Sequence, residues 1–366
     1  MTTTTSTTAP LTPPAPRTGR RGRPRWAPWA ATLWALGYGL TALGWTLTGD
    51  GYPIDPADPN STMALLGDVP ADAGAPLFAA VALAAAGTGA VMARYRPGAP
   101  VPHWWRRFAV GFGGSLAVVL LVVVPTTRLL ALLGYLPMIV FRAPFDAEIR
   151  ADVAEQLGVD YLHQFVALIG GFLWAAATVA YARRTAGSCV RCGRPDRSGR
   201  VAAVRRWGRT ATYVAAAIPA LYAGTRLLWA GGVSMGMSER QMDEMASDGA
   251  LQGALWLGAF ALVGTVLTLG LVQRWGEAFP RWVPVLGGRA VPVRLAVVPA
   301  TLVAVLVTSG GLGMVKASLV EGVFDAEDWA AFGPALLWPA WGVALGWGTL
   351  AYWLRRRARC TDCGLG

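Results

Sequence analysis

The chain of 366 residues is 54% hydrophobic and only 14% charged, with a mean hydropathy of +0.43, which excludes an ordinary soluble globule. Its formal net charge of +11 comes from arginines scattered through short segments, with no recognition motif or large soluble region beside them. That distribution excludes nucleic acid as the partner and points to an integral membrane protein with a topology set by charge.

Residues 1–25, MTTTTSTTAPLTPPAPRTGRRGRPR, offer almost nothing to bury and predict a disordered basic tail. A helical span needs about 20 apolar residues. Charge-poor stretches of that size follow at 27–47, 74–93, 108–127, 161–182, 210–232, 250–273, 295–315 and 330–354, predicting eight spans. The first is longer than a signal-peptide core and no A-x-A site follows it, so it is expected to stay as an anchor. After the third stretch, apolar residues resume at 129–141, but this piece is short and holds Pro137. It reads as an interfacial or re-entrant segment packed on the bundle. Tryptophans, among them Trp45, Trp105, Trp207 and Trp282, fall near predicted span ends, where interfacial rings are favoured.

Charge then orients the spans. With the amino terminus inside, the five inner segments carry 26 basic and 3 acidic residues, and the four outer ones carry 4 basic and 18 acidic. Basic residues retain loops on the cytoplasmic side, so both termini are expected there, in a multi-pass protein of the cell membrane. The same arginines suit anionic lipid headgroups on that face.

The sequence is also written twice. ATVAYARRTAGSCVRCG, from Ala177, and GTLAYWLRRRARCTDCG, from Gly348, align at an offset of 171, placing Cys189, Cys192 and Gly193 on Cys360, Cys363 and Gly364. YGLTALGW at 38–45 resembles YAGTRLLW at 222–229, and FDAE recurs at 145–148 and 324–327. The reading is an all-α fold of two four-span units, 26–194 and 210–366, joined by a cytoplasmic linker at 195–209. An even span count per unit makes the repeats parallel, related by an axis along the membrane normal.

Those four cysteines are the only ones in the chain. On a reducing cytoplasmic face, structural disulfides are disfavoured, whereas two C-x-x-C-G pairs supply the four thiolates of a closed tetrahedral zinc site. Iron also accepts four thiolates, but no redox partner is visible. Gly171 and Ala175 align with Gly342 and Gly346. Small residues four apart permit close helix approach, so spans four and eight are expected to pack together and bring the cysteine pairs side by side.

Candidate ligand or ion-pair residues are fewer. Arg128 and Arg226, each within a TRLL sequence, are the two basic residues inside or at the edge of spans. They either snorkel to the outer headgroups or face an outer cavity. Asp160 and His163, one helical turn apart at the start of span four, suit a metal, a proton relay or a plain interfacial hydrogen bond. No H-E-x-x-H, G-x-S-x-G or Walker sequence is present, and no acidic residue lies inside a span. An enzyme is therefore not the first expectation. The leading one is a permease-like or small-molecule-binding protein with its site between the repeats on the outer side. The alternatives are a scaffold or sensor whose zinc-bearing cytoplasmic face binds a partner protein, and a lipid-modifying enzyme.

Overall fold

The computed structural model describes residues 26–54, 56, 59–156, 158–194, 200–320, 322 and 327–364. The expected tail 1–25, Pro195–Gly199 of the linker and Asp325 of the second FDAE copy lie outside the described residues. Twelve α-helices are described: α1 Trp26–Thr48, α2 Ala71–Arg94, α3 His103–Val118, α4 Thr127–Arg142, α5 Ala147–Gln156, α6 Val159–Thr185, α7 Arg200–Ala230, α8 Glu239–Ser247, α9 Ala250–Leu269, α10 Val293–Val320, α11 Trp329–Leu336 and α12 Trp338–Arg356. Among the described residues there is no β-strand, only a bridge between Ala278 and Ala290.

Five helices are long and apolar enough to cross a membrane: α2, α3 with its extension to Val123, α6, α9 and α10. Helices α1 and α7 cover two further expected stretches. The last stretch is split, because Pro339 cannot bond back to the preceding turn and starts a new helix at the α11–α12 junction. The third ends in a π-helical turn, Val119–Val123. Pro125 then stops the chain, and Thr126 caps α4 by accepting the backbone N–H of Arg128 at 3.3 Å. Residues 129–141, expected to lie on the bundle as a short piece, form most of α4, which packs against α9 and α10.

Packing follows the small residues. Ala27, Ala31, Ala35, Gly39 and Ala42 of α1 and Ala75, Ala79, Ala82, Ala86 and Gly89 of α2 are buried, and the two helices pack together, with Gly39 against Leu83 and Gly89 against Thr32. Backbones can approach closely where Cβ atoms are small or missing, the main source of contact between helices in lipid. The first core closes on fully buried Trp174, Tyr181 and Met92, and the second on Tyr352, Leu345 and Ala304.

Helix partners correspond between the halves. In the first, α1 packs on α2 and α6, and α6 on α3; in the second, α7 packs on α9 and α12, and α12 on α10. The expected pairing of spans four and eight is corrected by this arrangement. A Cβ on Gly171 of α6 would run into Leu120 and Leu121, whereas one on Gly342 of α12 would run into Ala304 and Thr308. Each glycine serves its own half. A small-residue stripe specifies that a neighbour comes close, and not which neighbour.

The halves meet instead through α10, which lies against α4 and the π-helical turn. The break at Pro125 frees a carbonyl, and buried Ser309 of α10 donates its hydroxyl to it at 2.6 Å. Farther along, Lys316 Nζ reaches the Ala64 carbonyl at 3.0 Å and Asp68 at 2.6 Å. Ser309→Ala is expected to cost about 1 kcal/mol, the net value of one such bond, measured as a lowered thermal midpoint in detergent. An unchanged midpoint would show that this contact contributes nothing to joining the halves.

Candidate functional site

Helix α6, 27 residues long, connects two clusters of polar chemistry. At 1.5 Å per residue its ends are about 40 Å apart. One cluster follows its carboxyl end and the other surrounds its amino end.

Beyond the carboxyl end, chain turns at Cys189–Gly193 and Cys360–Gly364 form two matching knuckles. Gly193 N–H donates to the Cys189 carbonyl at 2.7 Å, and Gly364 N–H to that of Cys360 at 2.8 Å. Both glycines have φ of +72°, a left-handed conformation that any Cβ would strain. The sulfurs of Cys189 and Cys360 lie 3.8 Å apart, those of Cys192 and Cys363 3.5 Å apart. All four lie within 4.8 Å of one another, a group that can hold a metal ion. Tetrahedral zinc–sulfur bonds of about 2.3 Å require sulfurs about 3.8 Å apart, so the spacing fits. Cys192 and Cys360 are buried, Cys189 is half-buried and Cys363 is exposed.

Arginines brace this cluster. Arg183 donates to the Val190 carbonyl at 2.8 Å, Arg357 to that of Cys192 at 2.9 Å, and Arg191 crosses from one knuckle to Thr361 on the other at 2.9 Å. Burial pushes the Cys192 thiol up to about 12, helped by the neighbouring thiols. Burial acts the same way on Cys360, but the backbone N–H groups of Cys363 and Asp362 together with the side chains of Cys192 and Cys363 outweigh it and hold that thiol down at about 7. Several thiolates cannot share so small a volume without a cation to offset their mutual repulsion.

At the amino end of α6, the structure brings together three of the residues singled out by sequence. Arg128 Nη1 pairs with Asp160 Oδ2 at 3.1 Å, and His163 Nε2 shares a 2.8 Å hydrogen bond with Tyr38 Oη. Gln164 Oε1 accepts both Thr126 N–H at 3.0 Å and Thr126 Oγ1 at 3.1 Å, tying α6 to the cap that positions Arg128. Together with the segment around Pro53 and Ser61, the side chains of Thr126, Arg128, Asp160, His163 and Gln164 line a cavity of about 60 Å³. It has room for a few waters or one small polar solute. Every lining residue belongs to the first half, so this cavity does not lie between the halves as expected.

Arg226 does not join it. Its buried guanidinium donates to the carbonyls of Ala330 at 3.0 Å and Ala331 at 2.9 Å, and lies over the rings of Tyr222 and Trp229, 4.5 and 4.1 Å from their centroids. Those two aromatics stand at the positions of Tyr38 and Trp45 when 222–229 is set against 38–45, and the rings of Tyr38 and Trp45 lie 5.9 and 6.3 Å from that of His163. In the first case the histidine comes from a different helix, α6, and in the second the arginine lies on the same helix as its two aromatics. Sequence reasoning passed over Tyr38 and Gln164. The amide beside His163 in an otherwise apolar stretch was the available signal, while the tyrosine's repetition showed only as part of a match. Compared with protein-family models, curated proteins and solved structures, the chain matches none.

Proposed function

We propose that this chain is an eight-span membrane protein of two parallel four-span repeats, with both termini cytoplasmic. The repeat ends are joined by one zinc ion held by Cys189, Cys192, Cys360 and Cys363, and the outer side binds a small polar solute beside Arg128, Asp160 and His163. The observation that carries the zinc clamp is the meeting of two C-x-x-C-G turns from opposite ends of the sequence at metal-ligand spacing. Four thiolates and no open position make a structural site and leave the chemistry of the metal closed. The corresponding helix partners in the two halves support the repeat, and charge asymmetry between the connections supports the orientation.

Support for solute binding comes from the outer cavity, where a charged pair and a histidine hydrogen-bonded to tyrosine surround a space of small-solute size. Arg128 would receive an anionic group, with Asp160 competing for it. The test is thermal stabilisation of the purified protein by acetate, phosphate and sulfate. At least one should raise the midpoint of the wild type and leave Arg128→Gln unmoved. No shift with any of them, or equal shifts in both proteins, would overturn binding at this cavity.

A second reading, a scaffold or sensor recruiting a cytoplasmic protein, is favoured by the exposure of Cys363 and the arginines around the knuckles. Recruitment lost in Cys363→Ser and kept in Arg128→Gln would favour it.

A further inference from the structure

The connection between α9 and α10, residues 270–292, is far longer than its first-half counterpart, residues 95–102. The added chain roofs a cavity of about 300 Å³ that α9, α10 and α12 enclose. Leu271, Ala300 and Leu345 form its walls, Trp275 and Phe279 its roof, and the lining is almost wholly apolar.

The roof is fastened by the last turns of α12. Tyr352 Oη donates to the Gly276 carbonyl at 2.7 Å, Arg355 to that of Leu271 at 2.6 Å, and Arg356 to those of Glu277 and Val291 at 2.9 and 3.1 Å. The cavity is therefore built in advance of any occupant. Glu277, the one carboxylate of residues 270–294, already takes Arg355 at 3.4 Å. Around the roof, Arg274, Arg281, Arg289 and Arg294 are exposed. At the tip of the connection, Trp282 and Val285 are 82% and 84% exposed. Exposed apolar side chains beside arginines are the pattern of a segment seated at a bilayer surface.

We propose that this cavity takes one acyl chain of an anionic phospholipid, whose phosphate is held by the exposed arginines of residues 274–294. The inference rests on the membrane reading given above. Apolar walls exclude a polar solute, because its desolvation would find no hydrogen-bond partner. A volume at the small end of ligand sites suits a single chain and not a whole diacyl tail. An arginine cluster with its single acid already engaged favours a phosphate over a zwitterionic headgroup, for which attraction and repulsion largely cancel. The lipid is also the one apolar ligand present at high concentration on every side of these helices.

The experiment offers the full-length protein equal amounts of phosphatidylglycerol and phosphatidylcholine in nanodiscs, then counts retained lipids by native mass spectrometry. The wild type should keep one phosphatidylglycerol in preference to phosphatidylcholine. Ala300→Trp, which fills the cavity, should reduce that retention about tenfold, since several buried methylenes lose their place. Arg281→Gln with Arg289→Gln changes only exposed side chains, so folding is spared; it should keep a lipid but lose the preference for phosphatidylglycerol. A folded Ala300→Trp protein that holds as much lipid as the wild type would overturn the site, as would an undiminished preference in the arginine variant. Failure of the wild type to enter nanodiscs at all would overturn the membrane reading instead.

Discussion

Cys192→Ser is expected to reduce bound metal from about one ion per chain to less than about a tenth, measured by elemental analysis of protein purified without chelator. Cys192 is buried, with its sulfur 3.5 Å from that of Cys363. A serine hydroxyl there is a poor ligand for a soft-thiolate site and cannot supply the lost negative charge. The remaining three thiolates would hold the ion far more weakly. In small soluble motifs a structural zinc contributes on the order of 10 kcal/mol to folding. Here the cost should be smaller, because each half has its own buried core and its own set of packed helices. The predicted damage is local: faster proteolysis between Thr185 and Arg200 and at the carboxyl terminus, with the helical bundle intact. Thr361→Ala, which removes one of the two Arg191 contacts between the knuckles and the Thr361–Asp362 bond but leaves Arg191 paired with Asp362 and all four sulfurs in place, should keep its metal. Full metal content in Cys192→Ser would remove the four-thiolate clamp from consideration.

Arg226→Ala is expected to destabilise the protein by about 2–4 kcal/mol in the absence of any ligand, from two charged hydrogen bonds and a pair of cation–π contacts, discounted for the modest value of such bonds in lipid. Truncation would leave the carbonyls of Ala330 and Ala331 without their donor and a gap between Tyr222 and Trp229. Arg226→Lys should recover only part of the loss, since one ammonium cannot reach two carbonyls and lie flat on both rings. Thermal midpoints of the three proteins check the prediction. If Arg226→Ala melts with the wild type yet loses solute binding, the residue serves a ligand after all and its contacts here are incidental.

Much of the fold was legible because lipid imposes a simple rule: a crossing helix must be long, apolar and flanked by the right charges. Helices stand over the stretches that hydropathy picked out, and five of them are long and apolar enough to cross a membrane. The breaks at Pro125 and Pro339 lay within two of those stretches and were read as continuous, because an averaged hydropathy does not register one missing N–H. Four cysteines with their glycines could also be placed from spacing, since a two-residue spacer lets both sulfurs face one ion and the following turn requires positive φ. Asp160 and His163, one turn apart, were bound to be neighbours on any helix.

What the sequence alone determined, then, was local: helix positions, the matching turns, and pairs of residues separated by a helical period. Apart from the two cysteine pairs, partners distant in the chain were decided by tertiary structure. Arg128 met Asp160 because Gln164 holds the α4 cap against α6. Arg226 found two carbonyls and two rings, a setting that neither of its sequence readings contained, since its surroundings come from α7 and α11 together. Spans four and eight were separated by the same small residues that were thought to unite them, each turning toward the third helix of its own half. The roof over the apolar cavity came from a loop with no hydrophobic periodicity, shaped by arginines at the far end of the sequence. Small residues and guanidinium groups say only that something must approach; which partner does so depends on how the helices pack, and that is a property of the whole bundle.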